Sequence, residues 1–257
     1  MKFSIISYNI NGIRAALKKG LYDWLKNENY DILCFQETKA QQNQIEKSLF
    51  ESLGYKFQFW HSAEKKGYSG VGLVSKIEPE NVDVGLKIEK YDLEGRLIRA
   101  DFRHFTLLSV YIPSGTTGDE RQAFKMNFLH DFFNYTNELK NKKTLLLISG
   151  DFNICHKPID INHPERHKKS SGFLPEEREW FDGFIDNGFV DTFRMFNKNP
   201  NQYSWWSYRA GSREKNLGWR IDYHIASEML KNKVKNADIL NHVNHSDHCP
   251  VLVEIEV

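Results

Sequence analysis

The stretch Leu145-Leu-Leu-Ile-Ser-Gly-Asp-Phe-Asn153 begins with an apolar run of strand length and ends in an acid and an amide. A short apolar run bounded by turn residues is typical of a buried strand, which we predict at residues 144–148. A polar side chain that directly follows such a strand lies on rigid backbone at a sheet edge. The stretch therefore predicts a buried strand that presents Asp151 and Asn153 at that edge.

Similar runs recur along the chain, with helical spacing between them. Strands are predicted at residues 3–7, 32–35, 71–74, 98–102, 106–112, 221–226 and 251–255. Helices are predicted over residues 40–53 and 119–139 and from Pro175 onward. Because the strands at 98–102 and 106–112 are joined by a short turn, we expect them to pair antiparallel. The predicted fold is a mixed-sheet α/β sandwich in one domain, residues 1–257.

The composition limits the partners and the location. A chain of 257 residues can form one domain with a large core. The 35 Lys and Arg residues nearly balance the 34 Asp and Glu residues, so the net charge of +1 gives no overall attraction to a polyanion. Three widely spaced cysteines predict reduced, buried thiols. No run approaches the roughly 20 apolar residues of a membrane span, and no signal peptide is recognisable, so we expect a soluble cytoplasmic protein.

Polar residues stand at the ends of several predicted strands and at the start of others. They are Asn9, Glu37, Tyr111, Asp151, Asn153, Asp222, Asp247 and His248. In a mixed sheet, the ends of some strands and the starts of others share one edge, so these side chains are expected to converge. Each of them alone is more often a turn or cap residue, and it is their number that predicts a site.

The donor types in this set favour one kind of chemistry. Carboxylate and amide oxygens select Mg²⁺ or Mn²⁺, whereas zinc prefers thiolates and several imidazoles. A divalent ion held by one or two carboxylates is typical of phosphoryl-transfer sites. A carboxylate can then act as base for water, while an amide or imidazole stabilises the charge that builds on phosphorus. The set therefore predicts hydrolysis of a phosphate ester.

Two other chemistries lack their motifs. The glycine-dense stretch Gly67-Tyr-Ser-Gly-Val-Gly72 has neither the lysine nor the following helix of a P-loop. It also lacks the GxSxG pattern of a serine hydrolase. We therefore interpret Gly70 and Gly72 as turn and close-packing glycines that open a strand.

A basic and aromatic segment at residues 203–221 indicates the substrate. Its cations are Arg209, Arg213, Lys215 and Arg220, its one acid is Glu214, and its aromatic residues include Trp205, Trp206, Tyr208 and Trp219. Cations with aromatic platforms track phosphates and stack on bases or sugars. Trp206 and Tyr208 are more simply interpreted as core residues, because alternate strand positions face inward. The segment predicts nucleic-acid binding, which the total charge does not.

Short motifs follow one another in a specific order along nearly the whole chain. They are Tyr8-Asn-Ile-Asn-Gly-Ile-Arg-Ala15, Gln36-Glu-Thr-Lys39, Gly67-Tyr-Ser-Gly-Val-Gly-Leu-Val-Ser75, Gly95-Arg-Leu-Ile-Arg-Ala-Asp101, Tyr111-Ile-Pro113, Gly150-Asp-Phe-Asn153, Gly172-Phe-Leu-Pro-Glu-Glu-Arg178, Gly218-Trp-Arg-Ile-Asp-Tyr223 and Ser246-Asp-His-Cys-Pro-Val251. This set closely resembles the exonuclease III family of apurinic/apyrimidinic (AP) endonucleases, in the deoxyribonuclease I-like endonuclease/exonuclease/phosphatase superfamily. The resemblance implies a four-layer α/β sandwich, with two mixed, mainly antiparallel sheets packed face to face and helices outside.

The resemblance also implies roles for the polar residues. The implied metal group is Asn9, Glu37, Asp151, Asn153, Asp247 and His248. Asp151 is expected to activate or position the attacking water, with Asn153 as a transition-state donor. Tyr111 and His248 are expected to contact the scissile phosphate, and Asp222 is expected to fix the tautomer and charge of His248.

A further group of residues is expected to contact DNA. It consists of Arg209, Trp205, Trp219, Ile221, Lys168, Ser171 and Tyr68. In the family, the loop matching residues 203–221 enters the minor groove, and Arg209 stands where an inserted side chain props the duplex. Trp205, Trp219 and Ile221 would line a pocket for a flipped abasic sugar. Ser114 stands where the family commonly has Asn or Gln, so it is left out of the catalytic set.

These features predict a Mg²⁺-dependent nuclease of base excision repair, with Mn²⁺ able to substitute. It would cut 5′ to abasic sites in double-stranded DNA and also remove nucleotides or blocking groups from 3′ ends. One alternative is a metal-dependent phosphodiesterase or phosphatase of the same superfamily with a non-DNA substrate, and another is a non-catalytic DNA-binding module. The expected partner is damaged DNA, the expected state is a monomer, and the expected location is the nucleoid in the cytoplasm.

Overall fold

The computed structural model describes residues 1–143 and 145–257. In chain order, the first strands are β1 (Lys2–Asn9), β2 (Ile32–Gln36), β3 (Phe57–His61), β4 (Val71–Ser75), β5 (Asn81–Val84), β6 (Leu97–Asp101) and β7 (Thr106–Tyr111). They are followed by β8 (Leu146–Asp151), β9 (Phe189–Asp191), β10 (Trp205–Trp206), β11 (Gly218–Trp219), β12 (Asp222–Ser227), β13 (Val234–Ile239) and β14 (Val251–Glu256).

Helices lie between these strands. They are α1 (Ile13–Lys18), α2 (Leu21–Asn27), α3 (Lys47–Ser52), α4 (Glu89–Asp92), α5 (Asp119–Lys142), α6 (Pro164–His167), α7 (Pro175–Asp186), α8 (Thr192–Phe196) and α9 (Glu228–Lys231). The predicted helix at 119–139 is confirmed as α5, which buries Phe128 and Phe132. The helix start at Pro175 is also confirmed. Within the described ranges, no helix combines the length and the apolar character needed to cross a bilayer.

The strands form two six-stranded sheets and one two-stranded ribbon. The first sheet has the order β13-β14-β1-β2-β4-β3 and the second has the order β5-β6-β7-β8-β12-β9, while β10 pairs with β11. In the described parts of the chain, β1 with β2 and β7 with β8 are the parallel pairs, and the others are antiparallel. The mixed, mainly antiparallel character that was predicted is confirmed.

The two sheets pack against each other and are covered by helices. Ile5 of the first sheet and Leu107 of the second belong to one central apolar cluster. Leu108 faces the other way, as alternation along a strand requires, and packs with residues of α5 and α7. Leu33 packs in the same manner with residues of α1 and α2. Each fully buried leucine contributes roughly 2 kcal/mol of transfer free energy, and the result is the predicted four-layer sandwich.

The local predictions for the cysteines and for two glycines are also confirmed. All three cysteines are free and buried. Gly70 has a φ of 88°, which side chains other than glycine rarely adopt. A Cβ on Gly72 would lie 2.3 Å from the ring of Trp60, so the strand packs too closely there for any other residue.

Two local predictions need correction. The helix predicted over 40–53 is wrong in extent, because Gln42–Gln44 is a 3-10 turn and only Lys47–Ser52 is α-helical. Between them Ile45 is extended and buried, so its apolar side chain does not belong to a helical stripe. The strand predicted at 144–148 begins at a residue outside the described ranges, and the described strand runs from Leu146 to Asp151. The additional strands β3, β5, β9, β10, β11 and β13 are short or only partly buried, so they carry no clear apolar run.

Candidate active site

Strand register brings the polar strand ends together. In the second sheet, Asp151 at the end of β8 pairs with Tyr111 at the end of β7 and with Asp222 at the start of β12. In the first sheet, Asn9 ends β1 beside the end of β2, which Glu37 follows. Because β12 runs antiparallel to β8, the start of one lies at the same edge as the end of the other. The expected convergence is therefore present.

Asn9 connects the two sheets at this edge. Its Nδ2 donates to Glu37 Oε1 at 2.9 Å and to Asp151 Oδ2 at 2.8 Å. Its Oδ1 accepts the backbone N–H of Asn11 at 3.1 Å. Since an amide nitrogen has two protons, both are used to hold two carboxylates that would otherwise repel each other. Asn9 thus sets the spacing of the carboxylates, and its oxygen faces the backbone.

Glu37 is held in the ionised form by its neighbours. It has a φ of 50°, a left-handed conformation that costs on the order of 1 kcal/mol and is found at functional sites. Its Oε2 pairs with Lys39 Nζ at 2.7 Å, and Lys39 also donates to Asn11. Burial alone would raise the pKa of Glu37, but Lys39, Asn9 and His248 outweigh it and hold this pKa below its ordinary value.

Asp151 is a buried carboxylate that can change its charge near neutral pH. Its Oδ1 accepts the backbone N–H of Asn153 at 2.8 Å, and its Oδ2 lies 4.0 Å from His248 Nε2. Burial and repulsion from Asp222 raise the pKa of Asp151 to about 7, against the opposing effect of His248. A carboxylate with such a pKa can accept a proton from water at neutral pH.

His248 is paired with Asp222, as predicted. The distance from His248 Nδ1 to Asp222 Oδ2 is 2.9 Å, and Ser204 Oγ donates to the same oxygen at 2.6 Å. Burial disfavours the charged ring, but the carboxylates of Asp222, Asp151 and Asp247 outweigh it and raise the pKa of His248 to about 10. His248 is therefore an imidazolium at neutral pH, with Nε2–H as a charged donor on the Asp151 side.

Tyr111 and Asn153 supply neutral donors. Burial, then the charge of Glu37, raises the pKa of Tyr111 well above its ordinary range, so its hydroxyl keeps its proton. The guanidinium of Arg96 lies 4.5 Å from the centre of the Tyr111 ring and donates to the Tyr111 carbonyl. Asn153 has a φ of 51°, and its Nδ2 donates to the Ile112 carbonyl at 2.9 Å.

These groups line a cavity of about 240 Å³ that also has an aromatic wall. Its lining comprises Glu37, Tyr111, Ser114, Thr116, Asp151, Asn153, Ser171, Gly172, Trp205, Trp219, Ile221, Asp247 and His248. The Trp205 and Trp219 rings meet edge to face, with centroids 5.8 Å apart. Trp205 Nε1 donates to Asp247 Oδ2 at 3.0 Å, so Asp247 orients the aromatic wall. The other carboxylate oxygen of Asp247, Oδ1, accepts from Asn11 Nδ2 at 2.8 Å. A larger cavity of about 520 Å³ near Pro158 contains none of the catalytic candidates.

The other expected DNA contacts lie outside this cavity. Arg209 is exposed on the loop between β10 and β11. Lys168 is exposed and pairs with Glu165 at 2.5 Å. The hydroxyl of Tyr68 accepts hydrogen bonds from Arg96 at 3.1 Å and from Arg121 at 2.9 Å.

The basic segment needs correction, because two of its cations are used internally. Arg213 donates to the carbonyls of Asn241, Val243 and Ser246 and stacks on Trp206. Arg220 is 1% exposed and pairs with Asp160 at 2.8 Å and Asp191 at 2.6 Å.

The core interpretation of the two aromatic residues is half right. Trp206 is 4% exposed and belongs to a buried cluster, whereas Tyr208 is 65% exposed. Tyr208 lies beyond the end of β10, where inward and outward positions no longer alternate. Its ring lies 5.5 Å from Lys19 Nζ.

Three polar residues of the site received no role from the sequence. Asn11 and Lys39 lie next to the carboxylates, and Arg96 stacks on Tyr111. All three belong to motifs quoted above, and Asn11 and Lys39 are each two positions beyond a predicted ligand. This spacing from the predicted ligands was the feature of the sequence that could have indicated a role for Asn11 and Lys39.

The donor set is suited to a hard divalent ion. Ligand atoms of Glu37, Asp151 and His248 lie within 4.8 Å of one another. Two carboxylates in such a group match magnesium or manganese better than zinc. A two-sheet sandwich with this group, a charged imidazole and a phenol at its strand ends defines a class of metal-assisted phosphoester hydrolases.

The comparisons identify the family. The chain belongs to the endonuclease/exonuclease/phosphatase family, whose sequence profile matches residues 6–248. It is 42% identical over 255 residues to an exodeoxyribonuclease of Bacillus subtilis, covering 98% of this chain and 99% of the relative. An AP endonuclease from Archaeoglobus fulgidus superimposes with a TM-score of 0.90 at 30% identity, over 99% of this chain and 100% of that one. A 3′ phosphatase from Neisseria, bound to a product DNA hairpin, gives a TM-score of 0.92 at 25% identity, over 99% and 100% of the two chains.

Proposed function

We propose that this DNA repair nuclease uses Mg²⁺ to hydrolyse the phosphodiester bond 5′ to an abasic site in double-stranded DNA. The observation that carries the proposal is the single cavity in which Glu37, Asp151 and His248 face the aromatic wall of Trp205 and Trp219. An apolar pocket beside a charged group is what a flipped sugar without a base requires. The exodeoxyribonuclease, AP endonuclease and 3′ phosphatase relatives support 3′-5′ exonuclease and 3′ end-cleaning as further activities.

The metal group would be built around Glu37, Asp151 and Asp247, with Asn153 beside them. His248 was also expected in this group, but as an imidazolium it has a proton on each ring nitrogen, so it would donate to the phosphate and not bind the ion. Asn9 would act by holding Glu37 and Asp151 at their present spacing. When bound, magnesium, or manganese in its place, would neutralise phosphate charge and polarise the phosphorus for attack.

The side chains of the protein would then have two roles, to accept a proton from water and to stabilise the negative charge on the phosphate. Asp151 would accept a proton from the water whose oxygen bonds to phosphorus, because burial and the charge of Asp222 raise the pKa of this carboxylate and make it a better proton acceptor. The bond from phosphorus to the 3′ oxygen of the preceding nucleotide would break, and this oxygen would take a proton from solvent to leave as a 3′ hydroxyl. His248 Nε2–H, the Tyr111 hydroxyl and the Asn153 amide would donate to the phosphate oxygens as negative charge accumulates. Asp222 would keep His248 charged.

The DNA contacts would surround this cavity. Trp205, Trp219 and Ile221 would enclose the abasic sugar, together with Ser171 from the same cavity lining. Arg209 would enter the groove, while Lys168 and the Tyr68 hydroxyl would contact backbone phosphates. We also propose that the enzyme acts as a monomer in the cytoplasm at the nucleoid.

One assay separates this proposal from its alternatives. A labelled duplex with a single tetrahydrofuran abasic analogue is incubated with Mg²⁺ and then with EDTA, beside the matching undamaged duplex. We expect incision at the lesion that requires the metal. Failure to cut, with hydrolysis of a small phosphodiester, would favour a non-DNA substrate, and tight binding without cutting would favour a binding module.

A further inference from the structure

A fully buried ion pair lies behind the lining of the active-site cavity. Lys125 of α5 and Glu177 of α7 are both 0% exposed, and their Nζ and Oε1 atoms are 2.5 Å apart. Removing two charges from water costs more than burying apolar side chains of the same size, and apolar replacements of such pairs are often as stable. The role of the pair is therefore better inferred from the other groups that Lys125 and Glu177 contact than from their attraction to each other.

Lys125 holds the segment that carries Asn153. Its Nζ donates to the backbone carbonyl of Asn153 at 2.9 Å. Asn153 has the left-handed φ of 51°, and its Nδ2 donates to the Ile112 carbonyl at 2.9 Å and to Asp151 Oδ2 at 3.4 Å. A charged donor on the carbonyl therefore stabilises a strained residue that lines the active-site cavity.

Glu177 holds the neighbouring segment of the cavity lining. Its Oε2 accepts the backbone N–H groups of Gly172 at 2.6 Å and Leu174 at 3.0 Å. Its Oε1 accepts from Lys125 and from Gln122 at 3.0 Å, and Gln122 Oε1 in turn accepts from Ser171 Oγ at 2.7 Å. Ser171 and Gly172 are lining residues, so Glu177 positions this part of the wall without touching the cavity itself.

The two held segments meet, which leaves little tolerance for movement. Gly172 has a φ of 95°, and a Cβ there would lie 2.9 Å from the Trp219 ring and 3.1 Å from the Asn153 carbonyl oxygen. The Asn153 turn, the Gly172 turn and the Trp219 wall are thus packed together in front of one ion pair. A shift of either helix would move a catalytic donor and a pocket wall relative to each other.

We propose that Lys125 and Glu177 are positioning residues that fix the Asn153 donor against the Ser171 and Gly172 wall, and we call this pair the brace. The proposal rests on the proposed function for the identity of the substrate. The brace fixes the distance between the Asn153 donor and the wall formed by Ser171 and Gly172. It therefore affects the rate of the chemical step more than the affinity for DNA.

The test uses the double variant Lys125→Met/Glu177→Gln, which removes both charges and so leaves neither one buried and unpaired. If this double variant does not fold, Lys125→Gln/Glu177→Gln takes its place, because it also removes both charges and keeps a polar group at each position. The matched control is Arg99→Met/Asp101→Asn, an ion pair with 19% and 8% exposed side chains at the far end of β6 from Arg96. All proteins are assayed at a temperature where circular dichroism shows them folded.

We expect the plateau single-turnover rate on the abasic duplex to fall roughly 10- to 100-fold in the brace variant, since small misplacements of reacting groups have effects of that size. The dissociation constant for DNA should stay within about threefold, and the control should keep the wild-type plateau. Amide hydrogen exchange at Gly172 and Leu174 should accelerate at least roughly tenfold in the brace variant only.

Two results would overturn the brace and are distinct from failure of the proposed function. A folded brace variant with wild-type plateau rate and wild-type exchange at Gly172 and Leu174 rejects it. A loss of rate that the control variant shares, in proportion to lost stability, also rejects it. If wild-type protein does not cut the abasic duplex, the proposed function fails, while the exchange rates still decide whether Glu177 holds this wall.

Discussion

The strand ends and the segment at residues 203–221 have equally suggestive residue types, but the structure uses them differently. At the strand ends, ligand atoms of Glu37, Asp151 and His248 come within 4.8 Å of one another. In the segment, Arg213 and Arg220 turn inward to protein partners. The pairing register of a strand fixes the positions of its side chains. A long basic side chain on a loop can instead reach several different partners, so its contacts do not follow from its position in the sequence. Residue type therefore predicts function better on the strands than on the loop.

The largest expected effect follows removal of the base at the strand ends. Asp151→Asn keeps the shape of the side chain but cannot accept a proton from water, so the turnover number should fall by roughly 10³-fold. His248→Asn should act similarly because it removes the charged donor. The measurement is single-turnover incision, with DNA affinity determined in EDTA by fluorescence anisotropy. Weakened affinity with an unchanged rate would show that these residues only bind DNA.

Arg220→Met tests whether a buried cation of the segment is structural. The change leaves Asp160 and Asp191 without their buried partner and should lower the free energy of unfolding by about 3–5 kcal/mol. Arg220 and Arg194 hold the pKa of Asp160 at about 2 against the effect of burial, so that carboxylate stays ionised. Urea denaturation provides the measurement. Unchanged stability together with a smaller salt dependence of DNA binding would instead make Arg220 a phosphate contact.

His224 is a buried residue outside the active site, and both of its ring nitrogens form hydrogen bonds. They contact Ser149 Oγ at 2.7 Å and the Val251 carbonyl at 2.9 Å, and burial lowers the pKa of His224 from 6.5 to about 4. The unfolded chain binds this proton below pH 6.5 and the folded chain does not until about pH 4, so stability is lost as the pH falls through that window. Between pH 7 and pH 5 the loss is roughly 2 kcal/mol.

The variant His224→Gln should lack this contribution to the acid destabilisation. The exposed His104→Gln serves as the control and should keep the wild-type slope. The free energy of unfolding is measured at both pH values for each protein. Equal slopes in all three proteins would mean that another group titrates.

The smallest expected effect concerns a cation of the segment that remains exposed. Arg209→Ala should weaken binding to the abasic duplex by roughly tenfold and reduce the slope of log affinity against log salt by about 1. The free energy of unfolding of the variant should equal that of the wild type, because the Arg209 side chain is exposed on a loop. Titrations at several salt concentrations measure both quantities. Unchanged affinity at every salt concentration would exclude Arg209 from the DNA interface.

Much of the fold could be predicted, because the long apolar runs became central strands. The runs at 3–7 and 106–112 correspond to β1 and β7, both buried on two faces. Edge strands could not be predicted in the same way. In β13, charged and amide residues interrupt the apolar ones, and the register shifts between Val234 and Asn236, so no continuous apolar run marks this strand.

The site could be predicted in its composition but not in its connections. Glu37, Asp151 and His248 follow from their residue types and strand-end positions. The orientation of Asn9, which turns its nitrogen toward two carboxylates, depends on a backbone N–H that residue type does not reveal. The inward turn of Arg220 depends on acids that lie 60 and 29 positions away. Long-range partners of this kind come only from the fold.

The most direct test of the strand-end site is the dependence of incision on Mg²⁺ in wild-type protein and Glu37→Gln. If Glu37 is a metal ligand, the variant should need at least roughly tenfold more Mg²⁺ for half-maximal rate, as loss of a ligand or its support typically causes. Its affinity for abasic DNA in EDTA should match that of the wild type. The same half-maximal Mg²⁺ concentration in both proteins would contradict a metal site at the converging strand ends.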